Sequence, residues 1–223
     1  MFLSLYHNTI MLSTEKTYVY ETYQNISSRF DKTRGYVWPC VTEFLDELSS
    51  GSRLLEVGCG NGKNLMYRED LKSTGVDFVP NFVEMCKERG LNVLQANALE
   101  LPFEDNTFDT VISIAVFHHL STEERRREAL IEMNRVLKPG GKGFVMCWAY
   151  EQEYNGQKST SRRVVGKGEQ YVPWIDYKQR NRLGERFYYF YDKNTFETYT
   201  NTLSVTNKTI SWEEGNWIFS YTK

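Results

Sequence analysis

Residues 54–62 read LLEVGCGNG, a short apolar stretch interrupted by one acid and followed by glycine at Gly58, Gly60 and Gly62. A strand running into a turn with glycine at every second position constrains this chain more than any other feature. Glycine takes backbone angles closed to other residues and lets a ligand approach the main chain without meeting a Cβ. In a wound α/β sheet, the turn after the first strand is where cofactors lie, close to a helix N-terminus. The pattern calls for a parallel sheet with a flat, nucleotide-like ligand against bare backbone.

The surrounding sequence agrees. From Arg53 onward, strand and helix signals alternate: strands at 54–57, 74–77, 91–96, 108–114 and 143–149, and helices from about Asn61, over 81–89, and from a Ser121 cap to Leu137. Residues 108–114, FDTVISI, are almost continuously apolar or β-branched, as a strand buried on both faces requires. Glu123 and Glu124 stand in the favourable first turn of the long helix. Alternation of this kind predicts a doubly wound, mostly parallel sheet, here of seven strands. Ahead of it, helical spacing predicts helices over 14–30 and after Pro39. Beyond Tyr150, residues 151–184 are polar, basic and without apolar periodicity. They are followed by an aromatic strand at 186–192, a short helix at 195–201, and two strands at 203–209 and 217–221 that form a C-terminal antiparallel hairpin.

Two cofactor classes compete for the glycine turn. A dinucleotide site asks for Gly-x-Gly-x-x-Gly, and that spacing fails because Lys63 stands at its third glycine. Gly-x-Gly-x-Gly preceded by Glu56 fits S-adenosylmethionine, which has no pyrophosphate to cradle and whose cationic methionine end the acid helps to hold. Asp77, ending the second strand, is placed to take both ribose hydroxyls; a dinucleotide fold uses an acid there too, so it does not discriminate. Asn97, after the third strand, can pair with the adenine amine. Ala98 beside it and Ile114, ending the fourth strand, complete the expected cofactor wall.

Bulk properties narrow the setting. The 223 residues suit one domain: we expect a loose tail at 1–12 and a single domain at 13–223 with a basic insertion at about 151–185. Organised sequence begins at Ser13, so Met11 is a second candidate start. The first residues lack both a basic n-region and a small-residue cleavage pattern, against a secretory signal. No run reaches the roughly 20 apolar residues of a membrane-spanning helix. Cys40, Cys59, Cys86 and Cys147 are widely spaced, which speaks against a disulfide scaffold and against a metal site. We expect reduced thiols and a cytoplasmic or nuclear setting. The net charge of −2 carries no nucleic-acid signal. The window 158–186, however, holds eight basic residues (Lys158, Arg162, Arg163, Lys167, Lys178, Arg180, Arg182 and Arg186) against three acidic ones. Arg125-Arg-Arg127 forms a second cluster. Basic patches of this kind suit phosphate contacts, and a solvated loop and a charged helix face are the alternative.

The stretches LLEVGCGNG, GVDFVPNFVEMC, NALELPFEDNTFDTVIS and EMNRVLKPGG resemble the class I S-adenosylmethionine-dependent methyltransferases. YETYQNISSRFDKTRGYVWP, SIAVFHHLSTEERR, CWAYEQE, QYVPW, RFYYFY and GNW together resemble the eukaryotic tRNA wobble-uridine carboxymethyl methyltransferases, in the family's order from about Glu15 to Trp217. The resemblance implies a Rossmann-like fold, esterification of 5-carboxymethyluridine in the tRNA anticodon loop, and a small zinc-binding activator subunit that adds to the sheet edge. Two departures stand out: the segment between VPW and RFYYFY is short, and Asn97 replaces the family's aspartate. A small-molecule methyltransferase of the same fold is the alternative reading.

A carboxylate is already a nucleophile at neutral pH, so ester formation needs positioning rather than a general base. Arginine's forked donors orient a planar carboxylate. Arg34 and Arg186 are the family-matched candidates, with a surface arginine or a structural salt bridge as the alternative for each. His119 is expected in the substrate pocket, donating a hydrogen bond to the base, with His118 beside it. Trp174, Tyr188 and Tyr189 are candidates for stacking a splayed base, with core packing of an aromatic strand as the alternative.

Overall fold

The computed structural model describes residues 11–159, 166–176 and 181–223. The N-terminal segment is helical from Ser13 to Lys32: α1 (Ser13–Glu15), a π-helical stretch (Lys16–Glu21), and α2 (Thr22–Lys32). Pro39 opens α3 (Pro39–Asp46), where its missing N–H is harmless. The alternating body follows as β1 (Arg53–Val57), β2 (Lys72–Asp77), α4 (Pro80–Glu88), β3 (Val93–Gln95), β4 (Phe108–Ile114), α5 (Glu123–Val136) and β5 (Leu137–Trp148). After it come a small hairpin, β6 (Glu153–Tyr154) and β7 (Gln157–Lys158), and a longer ribbon, β8 (Gly168–Asp176) and β9 (Asn181–Phe190). α6 (Lys193–Thr200), β10 (Thr206–Glu213) and β11 (Asn216–Thr222) end the chain.

Seven strands form one sheet in the order β10-β11-β5-β4-β1-β2-β3. The five strands from β5 to β3 are parallel, and β11 and β10 add antiparallel. This is the expected doubly wound, mostly parallel sheet with N-terminal helices and a C-terminal hairpin. Successive residues of β1 serve opposite faces. Leu54 joins Val41 and Leu45 of α3, whereas Leu55 joins Leu130 and Met133 of α5, all fully buried or nearly so. Burial of such a side chain contributes roughly 1.5–3 kcal/mol, so both helices are fixed to the sheet by the alternation of one strand. The chain leaves β1 toward β2 on one side and returns to β4 on the other. That places the topological switch point, where such sheets bind ligands, at the C-terminal ends of β1 and β4.

Three expectations about the elements need correction. No helix follows the glycine turn: residues 60–70 form successive turns. Only nine residues separate Gly62 from Lys72, and the connection back to a parallel neighbour consumes them. The cap of α5 is Thr122, whose Oγ1 accepts from Arg125 N at 3.3 Å, while Ser121 Oγ donates to Glu15. Residues 151–184 are less irregular than expected, because β8 lies within them. Its side chains alternate between exposed and half-buried along the strand, a period of two obscured by Gln170, Pro173 and Asp176.

The basic clusters also come apart. Arg162, Arg163, Lys178 and Arg180 lie outside the described residues. Lys167 pairs with Asp192 and Arg182 with Glu185. In the second cluster, Arg125 is buried against Glu15, Arg126 is buried against the Tyr189 and Tyr199 rings, and Arg127 pairs with Glu123 along its helix. Arg125-Arg-Arg127 is therefore structural. Among the described residues, no helix is long and apolar enough to cross a membrane.

Candidate active site

A cavity of roughly 510 Å³ opens at the C-terminal ends of the parallel strands, within the range of small-molecule sites. Of the residues singled out in the sequence, Arg34, Glu56, Gly58, Gly60, Asp77, Asn97, Ala98, Ile114, His119, Arg186 and Tyr188 line it. Gly62, Trp174 and Tyr189 do not.

The floor is the glycine turn. Gly60 takes φ +52°, and a Cβ there would meet only Phe30, at 3.6 Å, so its face stays open to the cavity. Gly62 serves another purpose. With φ +76° it passes so close to Leu91 and Cys86 that an added Cβ would lie 2.4 and 2.9 Å from them, so it is required for packing rather than for ligand contact. Asp77 ties the ends of β1 and β2 together: its Oδ2 accepts from Gly60 N at 2.8 Å and its Oδ1 from Val79 N at 2.9 Å. Burial raises its carboxyl to about 6, against the opposing pull of those two amides.

Glu56 is almost fully buried. Its Oε1 accepts from Asn64 Nδ2 at 2.6 Å, and its Oε2 has no hydrogen-bond partner among the described residues. Burial pushes this carboxyl up to about 8, opposed by the Asn64 bond and the charge of Lys63. An orphaned buried acid beside bare backbone is a receptor for a cation. At pH 7 a cation entering here must displace the Glu56 proton, so its affinity rises with pH and levels off only above about 8. Calorimetry of S-adenosylmethionine binding in buffers of differing ionisation enthalpy is expected to show proton release at pH 7, and Glu56→Gln to remove it.

The opposite wall carries the positive charge. Arg186, on β9, is only 6% exposed, and no carboxylate pairs with it among the described residues. Its Nη1 donates to Tyr188 Oη at 2.6 Å, and its Nε has no hydrogen-bond partner. Arg34 approaches from the loop after α2. The ring of Trp174 sits behind both guanidiniums, 4.7 Å from that of Arg186 and 5.6 Å from that of Arg34. Trp174 thus orients the arginines, and its face is already occupied.

His119 follows β4 in a single 3-10 turn, Phe117–His119. Its Nδ1 faces the Phe187 carbonyl at 2.7 Å. A carbonyl only accepts, so Nδ1 carries the proton and Nε2 accepts from the Tyr23 hydroxyl at 2.9 Å. Both ring nitrogens are committed, and burial lowers the imidazole to about 3, keeping it neutral. His119 therefore has no hydrogen bond to offer a base, contrary to expectation, and instead fixes Tyr23. His118 lines the cavity too, with Nδ1 accepting from Trp148 N at 3.2 Å.

The stacking candidates are corrected likewise. Tyr188 is buried, with Trp148 stacked on it at 4.4 Å and Phe190 at 5.8 Å. Tyr189 points to the other side of the ribbon, beneath the guanidinium of Arg126 at 3.9 Å. Sequence reasoning missed Tyr23, Lys63, Trp148 and Ala115, all on the cavity wall. Ala115 leaves β4 at φ +62°, a strained conformation for a residue other than glycine. Only its place after the fourth strand hinted at it.

A family model described as a methyltransferase domain matches residues 55–145, the span from β1 to β5. Residues 55–145 thus form a methyltransferase domain. A mouse protein named tRNA (carboxymethyluridine(34)-5-O)-methyltransferase ALKBH8 is 46% identical over 148 residues, 66% of this chain and 22% of the relative. A Saccharomyces cerevisiae protein named tRNA (carboxymethyluridine(34)-5-O)-methyltransferase is 38% identical over 173 residues, 75% of this chain and 60% of the relative. The chain thus spans less than two thirds of the length of these relatives. Among solved structures, PH0226 protein from Pyrococcus horikoshii shares the fold at TM-score 0.63 and 20% identity, over 92% of this chain and 96% of that one. The complex of the Haloferax volcanii Trm112 methyltransferase activator with a methyltransferase gives TM-score 0.63 at 16% identity, over 92% and 96% of the two chains. S-adenosylmethionine fits the walls of this cavity: Glu56 offers an orphaned carboxyl oxygen to a cation, Asp77 ends β2 where ribose hydroxyls are expected, Gly60 leaves backbone open, and Asn97 and Ala98 follow β3 where an adenine would lie.

Proposed function

We propose that this methyltransferase esterifies the carboxylate of 5-carboxymethyluridine at the wobble position of tRNA. The observation that carries the reading is Arg186, a buried guanidinium without a carboxylate partner among the described residues, facing the cavity whose floor is the glycine turn. A buried, unpaired cation is a standing demand for an anion, and an acid at the end of a pyrimidine arm supplies one. The similarity to named tRNA carboxymethyluridine methyltransferases supports the same substrate.

S-adenosylmethionine supplies the electrophilic methyl, which a carboxylate oxygen takes to give the methyl ester and S-adenosylhomocysteine. The chain's part is placement. Arg186 and Arg34 hold the carboxylate by its fork, Trp174 keeps both arginines in line, and the Tyr23, Tyr188 and His119 bonds fix Arg186 from behind. Opposite charges neutralise during transfer, and the largely apolar wall formed by Val57, Ile114, Val116 and Trp148 favours that loss of charge. Residues 13–223 act in this reading as one domain, with 151–185 as the substrate-binding insertion, and the reduced thiols suit the cytoplasm or nucleus.

The direct test is methyl transfer from labelled S-adenosylmethionine with and without tRNA. Transfer that requires tRNA and gives an alkali-labile product, identified as the ester by mass analysis of wobble nucleosides, is expected. Transfer to a metabolite with no tRNA present would replace this reading with that of a small-molecule methyltransferase.

We extend the proposal to a small zinc-binding activator subunit that pairs with a free sheet edge. The two edges are β3 and β10. β3 exposes the apolar Leu94, whereas the start of β10 exposes polar residues, so β3 is the edge that favours a partner. Co-expression with such a subunit is expected to give a stable heterodimer, and Leu94→Asp to abolish it while leaving the fold intact.

A further inference from the structure

A carboxylate arm that enters this cavity leaves the remainder of its RNA at the rim, where something must grip it. The three rings expected for this are engaged elsewhere: Tyr188 by Trp148, Tyr189 by Arg126, and Trp174 by two guanidiniums. Among the aromatic residues that line the cavity, Tyr36 differs from the rest. It is 67% exposed, and the others are buried or half-buried.

Its backbone is held in place. The Tyr36 carbonyl accepts from Lys63 Nζ at 2.5 Å, and the Arg34 carbonyl accepts from Asn61 Nδ2 at 3.3 Å. Asn61 Nδ2 also donates to Asp31 Oδ1 at 3.0 Å, and Arg89 joins Asp31 Oδ2 to the Asn61 carbonyl, at 2.8 Å each. Asn61 and Lys63 belong to the segment leaving the glycine turn. The loop that carries Arg34 and Tyr36 is therefore tied at two carbonyls to the floor of the cofactor site. Both side chains remain at the cavity, one cationic and one a flat exposed ring. Two residues of chain span at most about 7 Å, so guanidinium and ring lie within reach of one nucleotide and its neighbour.

We propose that Tyr36 is the base-stacking residue of this chain, its exposed ring taking the base adjacent to the modified pyrimidine while Arg34 and Arg186 take the carboxylate. The inference rests on the tRNA reading and deepens it: the site grips two successive nucleotides, one by charge and one by its π-face. Every base has such a face, so Tyr36 adds affinity without choosing the neighbouring base.

Anticodon stem-loops carrying 5-carboxymethyluridine, with 2-aminopurine on one side or the other of it, test this with the full chain. The unmodified chain is expected to quench one of the two probes on binding. Tyr36→Phe keeps the quench, because the ring remains. Tyr36→Ala removes it and raises KM for the stem-loop about tenfold, as loss of one base–aromatic stack implies. The Kd for S-adenosylmethionine stays unchanged, since the bond to Lys63 uses the main chain. An abasic site at the quenched position raises KM for the unmodified chain by the same factor and adds nothing further in Tyr36→Ala. Unchanged KM and quench in Tyr36→Ala, with the unmodified chain active, overturn the role of Tyr36 alone. Failure of the unmodified chain to methylate any stem-loop overturns the tRNA reading, and the inference falls with it.

Discussion

Replacing Arg186 by methionine is expected to lower kcat/KM for ester formation about a hundredfold or more, as truncating one partner of a buried charge pair does. The affinity for S-adenosylmethionine is expected to stay within about twofold, because Glu56 and Asp77, the acids proposed to hold the cofactor, lie on the glycine-turn side of the cavity. Methionine keeps the volume and removes the charge. Arg186 has no carboxylate partner among the described residues, so its loss removes a desolvation penalty and the protein is expected to be as stable or more so. Arg186→Lys keeps the charge but not the fork and restores only part of the rate. Steady-state kinetics, calorimetry and thermal unfolding on the same three proteins separate these effects. A variant equally impaired in cofactor binding would place Arg186 in the cofactor site instead.

Glu15→Ala is expected to destabilise the fold by about 3–5 kcal/mol, the usual consequence of stranding one member of a buried ion pair. In the intact protein, Glu15 Oε2 accepts from Arg125 Nη2 at 2.7 Å, and Oε1 accepts from Arg125 Nε at 2.8 Å, Ser121 N at 2.8 Å and Ser121 Oγ at 3.0 Å. This one carboxylate fastens the N-terminal helix to the start of α5. For a domain of this size the loss corresponds to a fall in Tm on the order of 10 °C. Glu15 and Arg125 also line the cavity, so cofactor affinity falls with the loosened helix. The double replacement Glu15→Met with Arg125→Leu, which removes both charges, recovers most of the stability. A Tm within about 2 °C of the parent for Glu15→Ala would contradict the account, given the usual size of such losses.

Much of this architecture was legible because it is local. The glycine turn, the unbroken apolar run of β4 and the acids opening α5 are each written within a few residues. What escaped depends on the folded neighbourhood. The absent helix after the glycine turn is a matter of connection length, which overrode the usual strand–turn–helix expectation. β8 hid because a ribbon with one exposed face has few apolar residues to mark it.

The site divides along the same line. Glu56, Asp77 and the glycines sit on consecutive elements and follow from topology. Tyr23 and His119 are 96 positions apart, and nothing along the chain announces that they meet. The arginines of 125–127 looked like a patch because charge usually marks surface. Only the fold shows that Glu15 and two tyrosine rings draw two of them inside. Tyr188 failed as a stacking platform for a related reason: an aromatic run signals burial and gives no account of which ring faces stay free.

The central claim is that buried guanidinium charge reads a carboxylate opposite the methyl donor. It is tested most directly by comparing the binding of two anticodon stem-loops to the chain loaded with S-adenosylhomocysteine. One carries 5-carboxymethyluridine and the other its neutral amide, 5-carbamoylmethyluridine. The acid is expected to bind about a hundredfold more tightly, in line with a charge-assisted contact in a desolvated site, and Arg186→Met to abolish the preference. Equal affinity for acid and amide in the parent chain would contradict the account.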